Sequence, residues 1–236
     1  MAERIGMPVH ARGPLMRAVA VGAAVLLTLA GCSPNDVPVH PDPLPIVASY
    51  LDALASGDSA TAMALDAVAF EDAPFTQGAG TGVLETGALA AASERIVVGG
   101  ATVLSADEDS AAVATEFSLA GQQYTPKLRL RWNDDAESWE LIDSLANLLE
   151  VRTVTPAGVP GPAPFTLEGF APTGTFDGYD PPATYVYPGV YALSVQLDPA
   201  VLADPSTPLD RDIVVPPLYR APQESEFVAN VDFALR

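Results

Sequence analysis

Apolar side chains recur at helical spacing near residue 50. Intervals of three and four residues predict a helix over residues 46–54, and Gly57 ends it. The apolar positions on that face are Val47, Tyr50, Leu51 and Leu54. The Ala-rich stretch 59–66 predicts a second helix, and residues 84–92 predict a third, short one. A helical segment is therefore expected at the start of the main body of the chain.

After residue 93 the hydrophobic period changes from helical to two. Alternating apolar and polar residues predict a meander of strands, separated by turns rich in Gly, Asn and Asp. The predicted strands cover residues 95–98, 102–104, 111–119, 127–132 and 138–143. Helices followed by antiparallel strands are typical of the α+β class, so we expect an α+β unit over residues 45–148.

Two short motifs in this unit resemble a known family. The helical pair contains Tyr-Leu-x-Ala-Leu-x-x-Gly-Asp at residues 50–58, and the last strand contains Trp-x-Leu-Ile-Asp at residues 139–143. This order resembles the nuclear-transport-factor-2-like or cystatin-like roll, which is found in many extracytoplasmic bacterial lipoproteins. Enzymatic members use acid–base His and Asp pairs that have no match here. The resemblance therefore implies a cystatin-like roll that acts as a binding or spacer module.

Residues 149–236 read as a second unit built from short strands. Apolar runs are separated by Pro and Gly, which predicts a small all-β, sandwich-like domain. The predicted strands cover residues 151–154, 165–167, 175–176, 184–187, 190–197, 212–215 and 226–235. The sequence Tyr-Pro-Gly-x-Tyr-x-Leu-x-Val at residues 187–195 resembles the Pro-Gly-x-Tyr hairpin of transthyretin-like and PEGA-type surface modules.

The first 31 residues have the layout of a secretory signal. Three arginines come before a run of 14 uncharged residues, Ala18 to Gly31. A membrane-spanning helix needs about 20 apolar residues, so this run predicts a signal peptide over residues 1–31. Its end, Leu29-Ala30-Gly31-Cys32, resembles the bacterial lipobox. The resemblance implies cleavage after Gly31 and attachment of a diacylglyceryl group, with acyl chains such as palmitate, to the thiol of Cys32.

Two alternatives to a lipoprotein remain open, a secreted protein with a chance cysteine and an uncleaved anchor.

In the lipoprotein, residues 32–44 would form a spacer between the lipid and the folded part of the chain. Five of the 13 residues at positions 33–45 are proline, and such segments are extended. Removal of residues 1–31 would leave 8 basic and 29 acidic residues, a net charge of about −21. A single lysine among many Ala, Pro, Gly and Asp residues is typical of high-GC bacteria and favours an actinobacterial source.

Composition excludes several classes of chemistry. The chain has 11 basic against 30 acidic residues, which argues against nucleic acid as a partner. Its one cysteine excludes an internal disulfide and cysteine-rich metal sites. A hydrolytic triad lacks its base, since His10 lies in the signal and His40 in the spacer. The acidic turns 107–109 and 133–135 lack the spacing of a calcium loop, so we expect no metal and no cofactor.

One local group of cations stands out. Lys127, Arg129 and Arg131 alternate along a predicted strand and share one side of it. They could receive an anionic group, or they could form ion pairs with acids such as Glu116 on a neighbouring strand, which is the interpretation we favour.

Taken together, the sequence predicts a lipid-anchored protein on the extracytoplasmic face of the cell membrane. We expect a non-catalytic binding or spacer module of the cell envelope, with a cell-envelope protein or a cell-wall component as partner. Two alternatives stay open. One is a small-molecule carrier that uses the concave side of the roll as a pocket, and the other is a hydrolase that works through paired carboxylates.

Overall fold

Helices occupy the beginning of the described chain. The computed structural model describes residues 40–71, 81–172, 183–218 and 228–236. Its helices are α1 (Leu44–Ser56), α2 (Ser59–Leu65), α3 (Ala67–Glu71) and α4 (Ala88–Ala91). The predicted helices over 46–54 and 59–66 are confirmed. The predicted helix over 84–92 is helical only as α4, because residues 82–87 form turns.

Local capping explains where the first two helices begin and end. Asp42 accepts a hydrogen bond from the backbone N–H of Leu44 at 2.9 Å, at the start of α1. Gly57 ends α1 in the left-handed region with φ of 85°, which glycine adopts at little cost. The side chain of Asp58 then accepts from the backbone N–H of Thr61 at 3.0 Å and caps α2. The Ser-Gly-Asp sequence therefore produces a tight helical hairpin.

The strands of the first predicted unit belong to two different sheets. They are β1 (Glu94–Arg95), β2 (Val97–Ala106), β3 (Ser110–Leu119), β4 (Gln122–Tyr124), β5 (Lys127–Asn133) and β6 (Ser138–Leu141). Antiparallel pairing in the order β2-β3-β5-β6, with β4 added to β3, forms the sheet that we call sheet I. Helix α1 lies against β2 and β6 of this sheet. Strand β1 does not join it, and the buried Ile96 separates β1 from β2.

The remaining strands complete two further sheets. They are β7 (Asn147–Val154), β8 (Pro160–Pro162), β9 (Phe165–Leu167), β10 (Ala183–Val186), β11 (Gly189–Val195), β12 (Asp210–Val215) and β13 (Val228–Ala234). Sheet II has the order β10-β7-β13 with β8 on β7, and its β7–β13 pair is parallel. Sheet III has the order β1-β11-β12 with β9 on β11. A short 3₁₀ helix, Pro199–Val201, precedes β12.

One hydrophobic core extends over the helices and the sheets. Among its fully buried side chains are Leu51 and Leu54 of α1, Phe117 of β3, Tyr191 of β11 and Phe233 of β13. These residues come from both sides of the predicted boundary at 148/149, and the pairing of β1 with β11 also crosses it. The α+β class is confirmed. The division into units at 148/149 stays a prediction.

Some predictions fall on residues outside the described ranges. These are the signal at 1–31, the spacer as far as residue 39, and the strand at 175–176. In the part of the chain that the structure describes, no helix combines the length and the apolar character that crossing a membrane requires.

Candidate functional site

The basic residues predicted on one strand do lie together, and two of them are bound to acids. Arg129 donates to Asp143 from Nε at 2.9 Å and from Nη2 at 2.6 Å. Arg131 lies opposite Glu140 in the β5–β6 pair, with 3.3 Å between its Nη2 and Oε2 of Glu140. The acids come from β6 and the residues after it, and not from Glu116. Ion pairs therefore account for these two arginines.

The structure describes the third basic residue, Lys127, but not the lipidation motif. Lys127 begins β5 and is paired in register with Ala114 of β3. Leu29, Ala30, Gly31 and Cys32 lie outside the described residues, so the lipobox stays a prediction of the sequence.

The most unusual polar group in the described chain is a carboxylate at the end of α2. Asp66 has no exposed surface. It accepts hydrogen bonds from the hydroxyl groups of Tyr50 at 2.9 Å, Ser144 at 2.6 Å and Tyr187 at 3.1 Å. These donors come from α1, from the segment between β6 and β7, and from the turn between β10 and β11. We call these four residues the Asp66 cluster.

Backbone groups extend the cluster on one side. The hydroxyl oxygen of Tyr50 accepts from the backbone N–H of Leu145 at 2.9 Å. The hydroxyl oxygen of Ser144 accepts from the backbone N–H of Ala146 at 3.0 Å. Each of these two hydroxyls therefore receives a hydrogen bond from the backbone and donates one to Asp66, and the two hydroxyl oxygens lie 3.3 Å apart.

Burial and hydrogen bonding act in opposite directions on the carboxyl group. Removal from water disfavours its charged form, and the three hydroxyl donors favour that form. Burial dominates and raises the pKa of Asp66 to about 6. The phenol pKa values of Tyr50 and Tyr187 are also raised, first by burial and then by neighbouring charge that includes Asp66. Both tyrosines therefore remain protonated donors at physiological pH.

A second tyrosine contact fixes the turn that contributes Tyr187. Tyr191 is fully buried and its hydroxyl donates to the backbone carbonyl of Tyr187 at 2.8 Å. Gly189 lies between them, and a Cβ added there would come within 2.8 Å of the Tyr191 ring. A tyrosine bonded to the backbone a few residues upstream is the arrangement called a tyrosine corner in β-sandwich proteins. The Pro-Gly-x-Tyr sequence therefore stabilises the turn between β10 and β11: the tyrosine bonds back to the backbone, and the glycine leaves room for its ring.

The space beside the cluster is closed. Apolar side chains from the 83–89 segment meet Val186, Tyr187 and Tyr191 there, and the gap between them has no room for a water molecule. A substrate could not reach Ser144 or Asp66 by this side. The cluster is therefore a buried polar junction between separate elements of the fold.

Larger spaces exist on the surface, and they are open to solvent. A groove of about 690 Å³ lies across β9, β11 and β12, with Ala192 and Ser194 between the acids Glu168, Asp210 and Asp212. A second groove, of about 410 Å³, lies at the β5–β6 turn and is lined by Trp132 and by polar residues of 131–135 and 140.

The end of the predicted spacer contacts Trp132 and Trp139, beside the groove at the β5–β6 turn. The imidazole ring of His40 stacks on Trp132 with 3.7 Å between ring centroids and meets Trp139 edge-on. The indole N–H of Trp139 donates to the backbone carbonyl of Pro41 at 2.7 Å. The chain just before α1 is therefore attached to sheet I, which the proline-rich sequence did not indicate.

Sequence patterns missed the Asp66 cluster for a clear reason. Asp66 follows an apolar helix and resembles an ordinary polar helix end, and Ser144 lies 78 residues away from it. Tyr50, on the apolar face of α1, and Tyr187, in the Tyr-Pro-Gly-x-Tyr motif, were both noted, but neither pattern indicated a partner carboxylate. In the described ranges, no three His, Cys, Asp or Glu side chains are grouped so that they could hold a metal ion.

No protein-family model matches the chain, and no curated protein matches it.

Proposed function

We propose that this protein is a lipid-anchored, non-catalytic binding module on the extracytoplasmic face of the cell membrane. The observation that carries the proposal is the position of the only cysteine, which directly follows a basic and apolar signal at Leu29-Ala30-Gly31-Cys32. Two acyl chains hold a protein stably in a bilayer, whereas one chain holds it only marginally. The membrane is therefore its first partner.

Finer features of the fold support this proposal. Helix α1 lies against β2 and β6, which fits a cystatin-like roll over residues 45–148. The tyrosine corner at Tyr191 fits a sandwich-like arrangement over residues 149–236. Both architectures serve as display modules outside the cell membrane, as the family resemblance implies.

Surface shape favours a binding module over the carrier and the hydrolase. A carrier encloses its ligand in a mostly apolar pocket. The groove across β9, β11 and β12 is instead open to solvent, and charged side chains of both signs line it, three acids and Arg211. A carboxylate hydrolase uses two facing acids in a cleft, one of them with a raised pKa. Among the acids that the structure describes, the one with a raised pKa is Asp66, which is buried in the core and lines neither groove. A cell-envelope protein or a cell-wall component that contacts the outer surface remains the proposed partner.

Membrane fractionation of cells tests the anchor. The wild-type protein should sediment with membranes and incorporate labelled palmitate, and Cys32→Ser should lose both properties. Ser33→Ala is the matched control, because it alters the neighbouring residue and keeps the thiol. If Cys32→Ser sediments with membranes and carries label as the wild type does, the proposal is wrong.

Cross-linking on intact cells tests the binding role. The anchored protein should give a discrete cross-linked product with an envelope protein or with cell-wall fragments. Recovery of the monomer alone, over a range of reagent lengths, would contradict the role as a binding module while leaving the anchor intact.

A further inference from the structure

A cation is missing from the surroundings of the buried carboxylate. The groups that contact Asp66 from α1, from the segment after β6 and from the β10–β11 turn are all hydroxyls. Next to Ser144 in the sequence, Asp143 is bound to Arg129, so that arginine is held by another acid. In the described chain the carboxylate therefore depends on neutral donors alone, so its charge is not balanced by an ion pair.

The other titratable groups around the cluster are also accounted for. Tyr191 lies one hydrogen bond further on, through the carbonyl of Tyr187, and its hydroxyl interacts electrostatically with Glu168 and Arg95. On the same stretch of chain as Asp66, both Asp58 and Glu71 are exposed. Asp66 is thus the carboxyl group at the centre of this junction.

The hydrogen-bond pattern around Asp66 depends on one proton. When the carboxyl group is ionised, it accepts from all three hydroxyls. When it is protonated, it becomes a donor itself, and one hydroxyl must turn its own hydrogen away and accept. Tyr50 and Ser144 each already accept from a backbone N–H, so the two forms differ in how the junction is bonded.

We propose that Asp66 is a proton-responsive latch, in which loss of one proton loosens the junction between the α1–α2 hairpin, the segment after β6 and the β10–β11 turn. The latch is independent of what the surface of the protein binds. The three side chains that donate to this carboxyl group are 16, 78 and 121 residues away from Asp66 in the sequence and belong to three different parts of the fold. A change of its charge therefore acts on all three at once, and an extracytoplasmic protein would meet such a change when the external pH varies.

The ionised form accepts more hydrogen bonds, but burial without a neighbouring cation disfavours that form by more than the three hydroxyl donors favour it. The protonated form is therefore the one that holds the junction together. The folded state holds the proton more tightly, with a pKa of about 6 against an ordinary value of 3.8. Stability from this group is then fully present below about pH 4 and is lost as the pH rises through 6. Between pH 5 and pH 7.5 the equilibrium constant for opening should rise about tenfold through this one group.

Amide hydrogen exchange measures the latch directly. The backbone N–H groups of Leu145 and Ala146 donate to Tyr50 and Ser144, so their exchange reports opening of the cluster. After correction for intrinsic exchange, their protection in the wild type should fall about tenfold from pH 5 to pH 7.5. In Asp66→Asn the protection should not depend on pH in this way. Asp52→Asn, which removes an exposed carboxyl group from α1, should keep the wild-type slope.

A second measurement keeps the proposal testable if Asp66→Asn fails to fold. The ¹³Cγ resonance of Asp66 in the wild type should titrate near pH 6, and Ser144→Ala should move that midpoint upward because one donor to the charged form is lost. Equal pH slopes in the wild type and Asp66→Asn would overturn the proposal. So would a ¹³Cγ midpoint near the ordinary value for Asp.

Discussion

Removal of the Tyr191 hydroxyl is a clean test of the turn that holds Tyr187 in place. Tyr191→Phe keeps the buried ring and deletes one donor, which gives a 2.8 Å hydrogen bond to the carbonyl of Tyr187. Deletion of one partner in a buried pair costs about 1–3 kcal/mol, because the other partner is left unsatisfied away from water. We expect the free energy of unfolding to fall by about 2 kcal/mol.

Urea denaturation followed by circular dichroism measures this loss. The midpoint should fall by about 1 M with an unchanged slope, since the surface exposed on unfolding is the same. Tyr185→Phe is the matched control. Tyr185 is also buried and comes from the same part of the chain, but burial alone raises the pKa of its phenol, with no contribution from a hydrogen bond to the described residues. If Tyr191→Phe costs no more than this control, the corner does not stabilise the turn and the reasoning fails.

Three further substitutions probe other contacts. Arg95→Ala removes the guanidinium donors that bond one carbonyl near the end of α1 and two at the end of α4. The free energy of unfolding should fall by about 2 kcal/mol, measured as a lower melting temperature. Arg129→Ala removes an ion pair whose arginine is exposed and whose partner Asp143 is partly exposed, so the loss of stability should stay below about 1 kcal/mol and shrink further in high salt. Trp139→Phe deletes the donor to Pro41, and limited proteolysis before α1 should become faster while the core keeps its stability within about 1 kcal/mol.

Hydrophobic periodicity predicted the local elements well because each is determined over a few residues. The face of α1 formed by Val47, Tyr50, Leu51 and Leu54 is buried as its spacing predicts. Strand β5 alternates as expected, with Leu128 and Leu130 in the core. Such patterns need only one apolar side per element, and they therefore also predicted the α+β class.

Hydrophobic periodicity could not predict which sheet each strand would join. Residues 95–98 were predicted as one strand, yet the chain changes sheets within them: β1 pairs with β11, while β2, which begins at Val97, pairs with β3. Alternation with period two is the same whichever sheet a strand joins. The partner of a strand is decided by contacts between distant residues, and a single sequence does not display them.

The polar contacts within the core could not be predicted from the sequence either, because they also join residues that are far apart along the chain. They bear on how the two predicted units are joined. Apolar packing is non-directional, so many arrangements of helices and sheets would bury the same side chains. A hydrogen bond has direction, and Asp66 is satisfied only if Tyr50, Ser144 and Tyr187 are all in place. Tyr187 belongs to the predicted second unit and the other three residues to the first. The cluster therefore selects one arrangement among those that burial would permit, and a change at the β10–β11 turn should be felt in the helical hairpin.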